Sequence, residues 1–552
     1  MKKEKWIIVR SKRKDTYYIT AAISNGHARG YKRSIGLGNL EKLEKSTKDP
    51  INLLKEACVN WDPEWPKDKI LQEVNRVLKN SVVESKVVNY GHQILFNTID
   101  DLDIFEKTKE TRSKELIKIL KFIISTRILK QQSLIKTFES IPDYEIEFDS
   151  KKTTFYNSLD YLSDNKTTIL KNINNSLISK NLRSVDVMWF DSSTVYFETF
   201  TSLGFKHPGY SKDGKFKEDQ IVVGLITDEN GIPIHYKLFK GNTADPNTFI
   251  PFINEIKKIY NVRMVTIIAD RGMSTNKNIR FLEQNNIDFI ISYRLKIATK
   301  RTKLFAQDPE GYVDLDNFKF KEETYESLWQ KKRPNGRTRR RIITYSEKRA
   351  KKDKQDRQIL IDNFNKKAKN GIVAQADLLA GKKYKFFKEI ENGKTTSYKL
   401  DYEKIERDKK FDGLYAYETS RHDLTVQDVV DLYAKQWQVE ENFRTLKNAL
   451  RIRPVYVRSD KHIEGYFLLC FISLVLMRYL LTLVNKNLEP VLGVKNERFT
   501  NTRLIKAILS ANKYVEVVNS KIITEKLIEN KDNMQHLNDF VIIKKILETQ
   551  KP

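Results

Sequence analysis

Hydrophobic residues change their spacing several times along the chain, and each spacing predicts a different element. Near the start, WIIVRS, TYYITAAIS and GYKRSIGLGNL are rich in β-branched and aromatic residues and predict strands in a small basic unit. After Asn39 and Ser46 a lysine-rich stretch predicts helix. Between Glu106 and Phe138 the apolar positions Leu116, Ile117, Ile119, Leu120, Ile123 and Ile124 recur at helical spacing, and a second helical patch covers Thr154 to Leu177. From Val185 the period shortens. VDVMWFDSST predicts a strand that VYFETF extends or partners. DQIVVGLITD and IPIHYKLF predict two more, divided by the turn Asp228-Glu229-Asn230-Gly231. A helix from Asn247 to Ile259 follows, with Pro246 at its entry and Asp245 as its cap. Then come the strand MVTIIAD, a helix from Ser274 to Gln284 and the strand IDFIISYR. Three strands, a helix, a strand, a helix and a strand define an α/β unit with mixed pairing.

From about Leu295 to Asp412 this pattern breaks into short strand candidates, RRRIITYS, KYKFFKEI and TTSYKLDYEKI, around a charged helix from Glu347 to Asn370. Thr425 then caps a helix, with Asp428 completing an acidic capping box, and that helix is expected to reach Leu450 before Pro454. GYFLLCFISLVLMRYLLTLV, Gly465 to Val484, is apolar enough to be mistaken for a membrane span. Arg478 within it and the polar helices around it favour a buried core helix. The last sixty or so residues are expected to be helical. The division expected is 1–100, a small basic N-terminal region; 101–180, helical, either a DNA-binding module or ordinary packing; 181–295 and 413–485, the two parts of a catalytic domain; 296–412, a β-rich insertion with one charged helix; and 486–552, a helical C-terminal region.

Charge changes this picture. Lys and Arg number 100 against 72 Asp and Glu, a formal net charge of +28 over 552 residues. Such an excess points to a polyanionic partner, nucleic acid first and an anionic membrane surface second, the alternative being a lysine-rich proteome whose proteins all drift basic. Cys58 and Cys470 cannot build a disulfide framework or a CxxC zinc site, which fits a reducing cytoplasm. The basic N-terminus lacks the apolar stretch of a signal peptide.

Asp191 in WFDSST and Asp270 in TIIADRG each close a hydrophobic strand pattern, which places both carboxylates at the rim where α/β folds build sites. Adjacent carboxylates repel unless a positive charge lies between them. Mg²⁺ or Mn²⁺ meets that need with oxygen ligands. Two such ions about 4 Å apart activate water and stabilise the leaving oxygen in phosphodiester transfer. In YAKQWQVEENFRTLKNAL, Tyr433, Glu440 and Lys447 recur every seven residues, nearly two helical turns, and so share one face. Glu440 is the third carboxylate, Lys447 a point charge for a phosphate, and Tyr433 a group to hydrogen-bond or stack on DNA. Glu441 points about 100° away.

The helix resembles the Y-x2-R-x3-E-x6-K signature of the IS4-type insertion-sequence transposases, read as Tyr433, Gln436, Glu440 and Lys447, with Gln436 where the family carries arginine. Trp437, Val439, Phe443, Arg444 and Leu446 match its surroundings, and WFDSST and IIADRGM resemble the blocks of the two Asp residues. DGLYAYETS and ITYSEKRAKKDKQDR also look like this family, in particular its IS1634 branch. The strand order likewise resembles the RNase H-like fold. The resemblance implies an RNase H-like core interrupted by a β-rich insertion, and a DDE transposase with Asp191, Asp270 and Glu440 as catalytic and metal-binding residues. It further implies double-stranded DNA as partner (the element's inverted-repeat ends and the target), a homodimer on DNA, no membrane, work on bacterial DNA, and joining of 3′-hydroxyl ends to the target.

Further candidate DNA contacts are Arg271 beside Asp270, Arg294 at the end of IDFIISYR, Arg444, Gln436, and the densest basic run, Lys331, Lys332, Arg333, Arg337, Arg339, Arg340 and Arg341. Such a run is either a solvated face or a set of phosphate contacts that position a duplex without reading it. Lys12, Arg13 and Lys14 with Tyr17 and Tyr18 form a smaller basic and aromatic patch. A nuclease or resolvase on the same fold, or a non-catalytic DNA-binding remnant, are the alternatives.

Overall fold

The computed structural model describes residues 5–13, 16–25, 30–44, 49–79, 84–106, 108, 114–148, 150–198, 202–209, 217–260, 265–326, 338–368, 372–374, 386–392, 395–453, 455–493, 497–518, 521–528 and 534–549. They fall into two units: Met1–Ile94 with Lys136–Glu147 and Thr502–Pro552, and Leu95–Ile135 with Phe148–Asn501. Lys14, Lys331, Lys332, Arg333 and Arg337 lie outside the described residues.

In the first unit, β1 (Trp6–Arg13), β2 (Thr16–Ser24) and β3 (Tyr31–Asn39) form an antiparallel sheet in that order. Trp6, Ile19, Ala21, Ile23 and Ile35 close one face against Leu54, Cys58, Ile70 and Val74 of the helices Pro50–Cys58 and Lys67–Lys79. The lysine-rich stretch expected to be helical ends in a strand, β4 (Glu84–Asn89).

The second unit is a mixed α/β structure with a central sheet flanked by helices. Its strands are β5 (Val187–Tyr196), β6 (Gln220–Thr227), β7 (Pro233–Lys240), β8 (Thr266–Ala269), β9 (Asp288–Ser292), β10 (Val313–Leu315), β11 (Phe318–Tyr325) and β12 (Arg339–Tyr345). The short strands β13 (Val373–Ala374), β14 (Phe387–Asn392) and β15 (Thr395–Leu400) form a sheet of their own. With β16 (Leu414–Thr419) the main sheet has the order β10-β11-β12-β16-β9-β8-β5-β6-β7. The β-rich stretch is thus divided, because the buried Ile342 and Ile343 of β12 zip onto β16 and extend the main sheet.

Among the described strands of the main sheet, parallel pairing links β5, β8 and β9. The helices Asp245–Tyr260 and Asn276–Gln284 lead into β8 and β9. The resulting arrangement of β5 to β9 is consistent with an RNase H-like core. Met188 and Phe190 of β5 pack with Phe249, Phe252 and Ile253 of the first of these helices and with Ile279 and Leu282 of the second. Strand alternation sends Trp189, Asp191 and Ser193 to the opposite face.

The apolar segment belongs to a helix, Asp460–Leu492. It is long and apolar enough to cross a membrane, yet 89% of its apolar window is buried inside the protein. A Cβ on Gly465 would stand 2.1 Å from the Leu159 carbonyl oxygen, so glycine is what lets this helix approach the helix Lys152–Ser179.

The tail departs from its helical expectation. β17 (Asn512–Val518) pairs with both β18 (Lys521–Leu527) and β4, within the first unit. KYVEVV and KIITEKL carry β-branched residues suited to a pleated surface. Only the last stretch, Met534–Thr549, is helical after them.

Candidate active site

The site begins with strand register. β5 and β8 run parallel and their last pair is Phe190 with Ala269. The next residue on each chain is Asp191 and Asp270, so register alone sets the two carboxylates side by side. Asp191 is mid-strand rather than terminal, because β5 continues beyond β8 by pairing with β6 up to Tyr196. Asp270 directly follows its strand and is held by a turn in which the Gly272 N–H donates to its Oδ1 at 2.8 Å. A Cβ on Gly272 would come within 2.9 Å of that same oxygen, so a larger residue would push the carboxylate aside.

The third carboxylate comes from a helix that is not the single rod the sequence predicts. Thr425 and Asp428 do form the capping box. The first helix, Val426–Ala434, then gives way at Lys435 and Gln436 to a second, Trp437–Arg444, which ends in a π-helical turn, Thr445–Ala449. Tyr433 and Glu440 therefore sit on different helices, and Lys447 on the widened turn, where single-helix phase no longer applies.

Hydrogen bonds seat this assembly on the sheet. Trp189 donates its indole N–H to the Leu432 carbonyl at 2.8 Å, and Gln436 donates its amide to the Phe190 carbonyl at 2.9 Å. These two bonds grip the two residues before Asp191. Asn442 donates to the Gly231 carbonyl at 2.9 Å, and Arg478 donates to Asn442 Oδ1 at 2.6 Å and to Thr445 Oγ1 at 3.2 Å. Arg478, a charge inside the apolar helix, thereby anchors the helix of Glu440. Burial lowers its pKa, against the pull of Glu441.

The outcome is an open cavity of about 420 Å³ lined by Asp191, Ser192, Ser193, Asp270, Glu440, Phe443, Arg444, Lys447, Asn448 and Arg453. Lys447 donates to Ser193 Oγ at 2.8 Å. Glu441 turns away from the cavity to ion pairs with Arg444 and Arg478 rather than to open solvent. Three carboxylates thus share a small space with three cations. The oxygen-rich lining has no histidine or cysteine and suits a hard divalent cation. Among the described residues, no three His, Cys, Asp or Glu side chains are drawn together closely enough to hold an ion by themselves.

Other expected contacts move elsewhere. Tyr433 packs on Tyr415 and Tyr417 and accepts a hydrogen bond from the Tyr415 hydroxyl at 3.1 Å, and burial drives its own hydroxyl pKa far upward. It is an aromatic packing residue rather than a group offered to DNA. Gln436 is 6% exposed and bonded to the strand, so it is no phosphate contact either.

Arg339, Arg340 and Arg341 are also not an open patch. They are 6%, 9% and 6% exposed because β12 is paired on both sides. Arg339 pairs with Glu283, Arg340 with Glu322, and Arg341 with Glu323 and Glu418. Arg271 and Arg294 are exposed, and Arg294 donates to the Arg271 carbonyl at 2.9 Å beside Asp270. Sequence reasoning missed Ser192, Ser193, Asn448 and Arg453. The alternation of β5 could have found Ser193, two positions from Asp191, whereas nothing local singles out Arg453.

Carboxylates on two adjacent parallel strands and a facing helix, with lysine and arginine beside them, define a mixed α/β protein with a polar site at its central strands. Residues 184–476 match the transposase DDE domain family, and the chain belongs to it. A cryo-EM structure of the piggyBac transposase synaptic complex with hairpin DNA aligns over 83% of this chain and 82% of that chain at 8% identity, with a TM-score of 0.35, too low to carry an argument. No curated protein matches the chain.

Proposed function

We propose that this chain is a DNA transposase of the IS4 group, IS1634 branch, with an RNase H-like core, that cleaves the inverted-repeat ends of its element and joins their 3′-hydroxyls to target DNA. The observation that carries this reading is the cavity shared by Asp191, Asp270, Glu440, Arg444, Lys447 and Arg453. Membership of the DDE transposase family supports it.

Asp191, Asp270 and Glu440 are the residues that would hold Mg²⁺ or Mn²⁺, as two ions. Bound there, such ions would supply an activated water and charge stabilisation for the leaving oxygen. The chain's own part is to orient and to hold. β5 and β8 fix two carboxylates in register, Gly272 N–H orients the second, and the helix on Gln436, Asn442 and Arg478 presents the third. Lys447, Arg444 and Arg453 are placed to take the charge of a phosphodiester. The partners in this reading are double-stranded DNA and a second copy of the chain on that DNA, in a bacterial cytoplasm.

The test uses duplexes carrying the repeats that flank the gene. Asp191→Asn, Asp270→Asn and Glu440→Gln should each reduce Mg²⁺-dependent cleavage to background while Glu441→Gln retains it. Cleavage that survives Glu440→Gln sinks the assignment of that residue. End cleavage without joined products would make the protein a nuclease.

A further inference from the structure

We propose that the open face of the β1–β3 sheet grips duplex DNA by lying in a groove between its phosphate backbones. This deepens the functional reading and rests on it, by naming the surface of the first unit that holds the substrate. The argument starts from sidedness. Helices close the face that carries Trp6, Ile19, Ala21 and Ile35. Register puts the alternate residues on the other face, Ile7 opposite Ala22, Val9 opposite Thr20, and Ser34 opposite Ala22 from the third strand. Ile7, Tyr18 and Tyr31 are 42%, 38% and 48% exposed.

The residues of that face are small, hydroxylated, aromatic or, at Ile7 and Val9, β-branched. A Cβ on Gly36 would meet nothing within 4 Å, so the backbone there lies bare. Such a surface can approach base edges closely. Three strands about 4.8 Å apart span roughly 10 Å, close to the width of about 12 Å of a B-DNA major groove.

Charge chooses the occupant. The three strands contain Arg10, Lys12, Arg13, Lys32 and Arg33 and no Asp or Glu. Arg33 is committed to the helix side, where it donates to the Trp65 carbonyl at 2.9 Å. Register sets Arg10 and Lys12 on the helix side as well, level with Ile19 and Tyr17, whereas Arg13, opposite Thr16, and Lys32, next to Arg33, belong to the open face near its ends, where phosphates would flank a groove-bound surface. Arg13 lies 5.4 Å over the Tyr18 ring, a contact that holds its guanidinium near the open face, while Arg10 lies 3.6 Å over the Tyr17 ring on the helix side. A second copy seated face to face would set cations against cations. A polyanion removes that repulsion.

The experiment measures binding, not cleavage, so that it can fail separately from the functional reading. Full-length protein in EDTA is titrated into fluorescent duplexes, one from the DNA flanking the gene and one of random sequence. The variants are Ser34→Glu, on the exposed edge strand, and the double change Arg13→Ala, Lys32→Ala. Each should weaken binding by about tenfold or more, and the double change should lower the slope of log K against log salt by about two. Both should keep the wild-type unfolding midpoint. Affinities within about twofold of wild type overturn the proposal while leaving the cleavage reading intact. Loss of self-association in Ser34→Glu with unchanged DNA affinity also overturns it and makes the face a contact between copies. Loss of Mg²⁺-dependent cleavage in Glu440→Gln, with normal duplex binding, would support the functional reading whatever these sheet variants do.

Discussion

Arg339, Arg340 and Arg341 stand consecutively in β12 and are almost wholly enclosed, whereas Arg10, Lys12 and Arg13 in β1 are exposed. Both are basic runs in strands. β12 lies inside a nine-stranded sheet between β11 and β16, and each of its arginines meets a carboxylate. β1 is the edge of a sheet whose helices, among the described residues, cover one face. The difference teaches that density of positive charge along a chain says little about where a polyanion can land. Strand neighbours and sheet faces decide it.

The sharpest way to break this comparison is to remove one arginine from each run. Arg341→Ala leaves Glu323 and Glu418 facing an emptied buried site, and should cost about 3–5 kcal/mol. Arg13→Ala, on the exposed strand, should stay within about 0.5 kcal/mol. Chemical denaturation of both variants reads the contrast, and equal losses would dissolve it.

The same buried network should show in pH dependence. Glu418 is 2% exposed, and burial and then the negative Glu283 push its pKa up to about 8. Arg341 at 3.5 Å and Arg339 at 3.9 Å pull the other way. With a raised pKa the folded protein holds a proton that the unfolded chain has already released. Stability then falls as pH rises from the ordinary carboxylate range toward about 8 and levels off above it. Glu418→Gln should flatten that segment of the profile. A wild-type curve already flat between about pH 5 and 8 would show that the arginines hold Glu418 ionised.

How far the sequence revealed this follows the same division. The order of strands and helices from Val187 to Ser292 was legible because apolar runs and turn residues are local signals. The two Asp residues were legible from the ends of strand patterns and Glu440 from its seven-residue spacing with Tyr433 and Lys447, and the structure brings all three carboxylates to one cavity. Burial of the arginines was not, since it depends on β12 pairing with a strand some seventy residues later. The hairpin of β17 and β18 was hidden likewise, because its partner β4 lies more than 400 residues earlier. Gln436 shows a local signal that misled: its motif position pointed to DNA, while the break between the two helices at Lys435 and Gln436 turns its side chain onto the Phe190 carbonyl.

A smaller effect is therefore expected at Gln436. Gln436→Ala removes one buried hydrogen bond, worth about 1 kcal/mol in stability. If the residue serves to hold the Asp191 strand against the Glu440 helix, the cleavage rate should fall well beyond that stability loss while duplex affinity stays unchanged. Single-turnover rates and binding curves on the same preparation separate the two. A matching drop in affinity would return Gln436 to the DNA contacts.

Arg271 and Arg294 offer the mildest test, because both are exposed and neither is enclosed like the β12 arginines. Each alanine variant should leave the unfolding midpoint unchanged. If the rim beside Asp270 lies along a DNA backbone, each should weaken binding a few-fold, to specific and random duplexes alike, and lower the salt slope by about one. The backbone bond from Arg294 Nε to the Arg271 carbonyl makes the two changes unequal, since Arg294→Ala also frees the turn that carries Asp270. Cleavage should then fall further in Arg294→Ala than in Arg271→Ala at saturating DNA. Identical salt slopes in wild type and both variants would remove this rim from the DNA path and leave the exposed cations of the N-terminal sheet as the better account of the chain's positive charge.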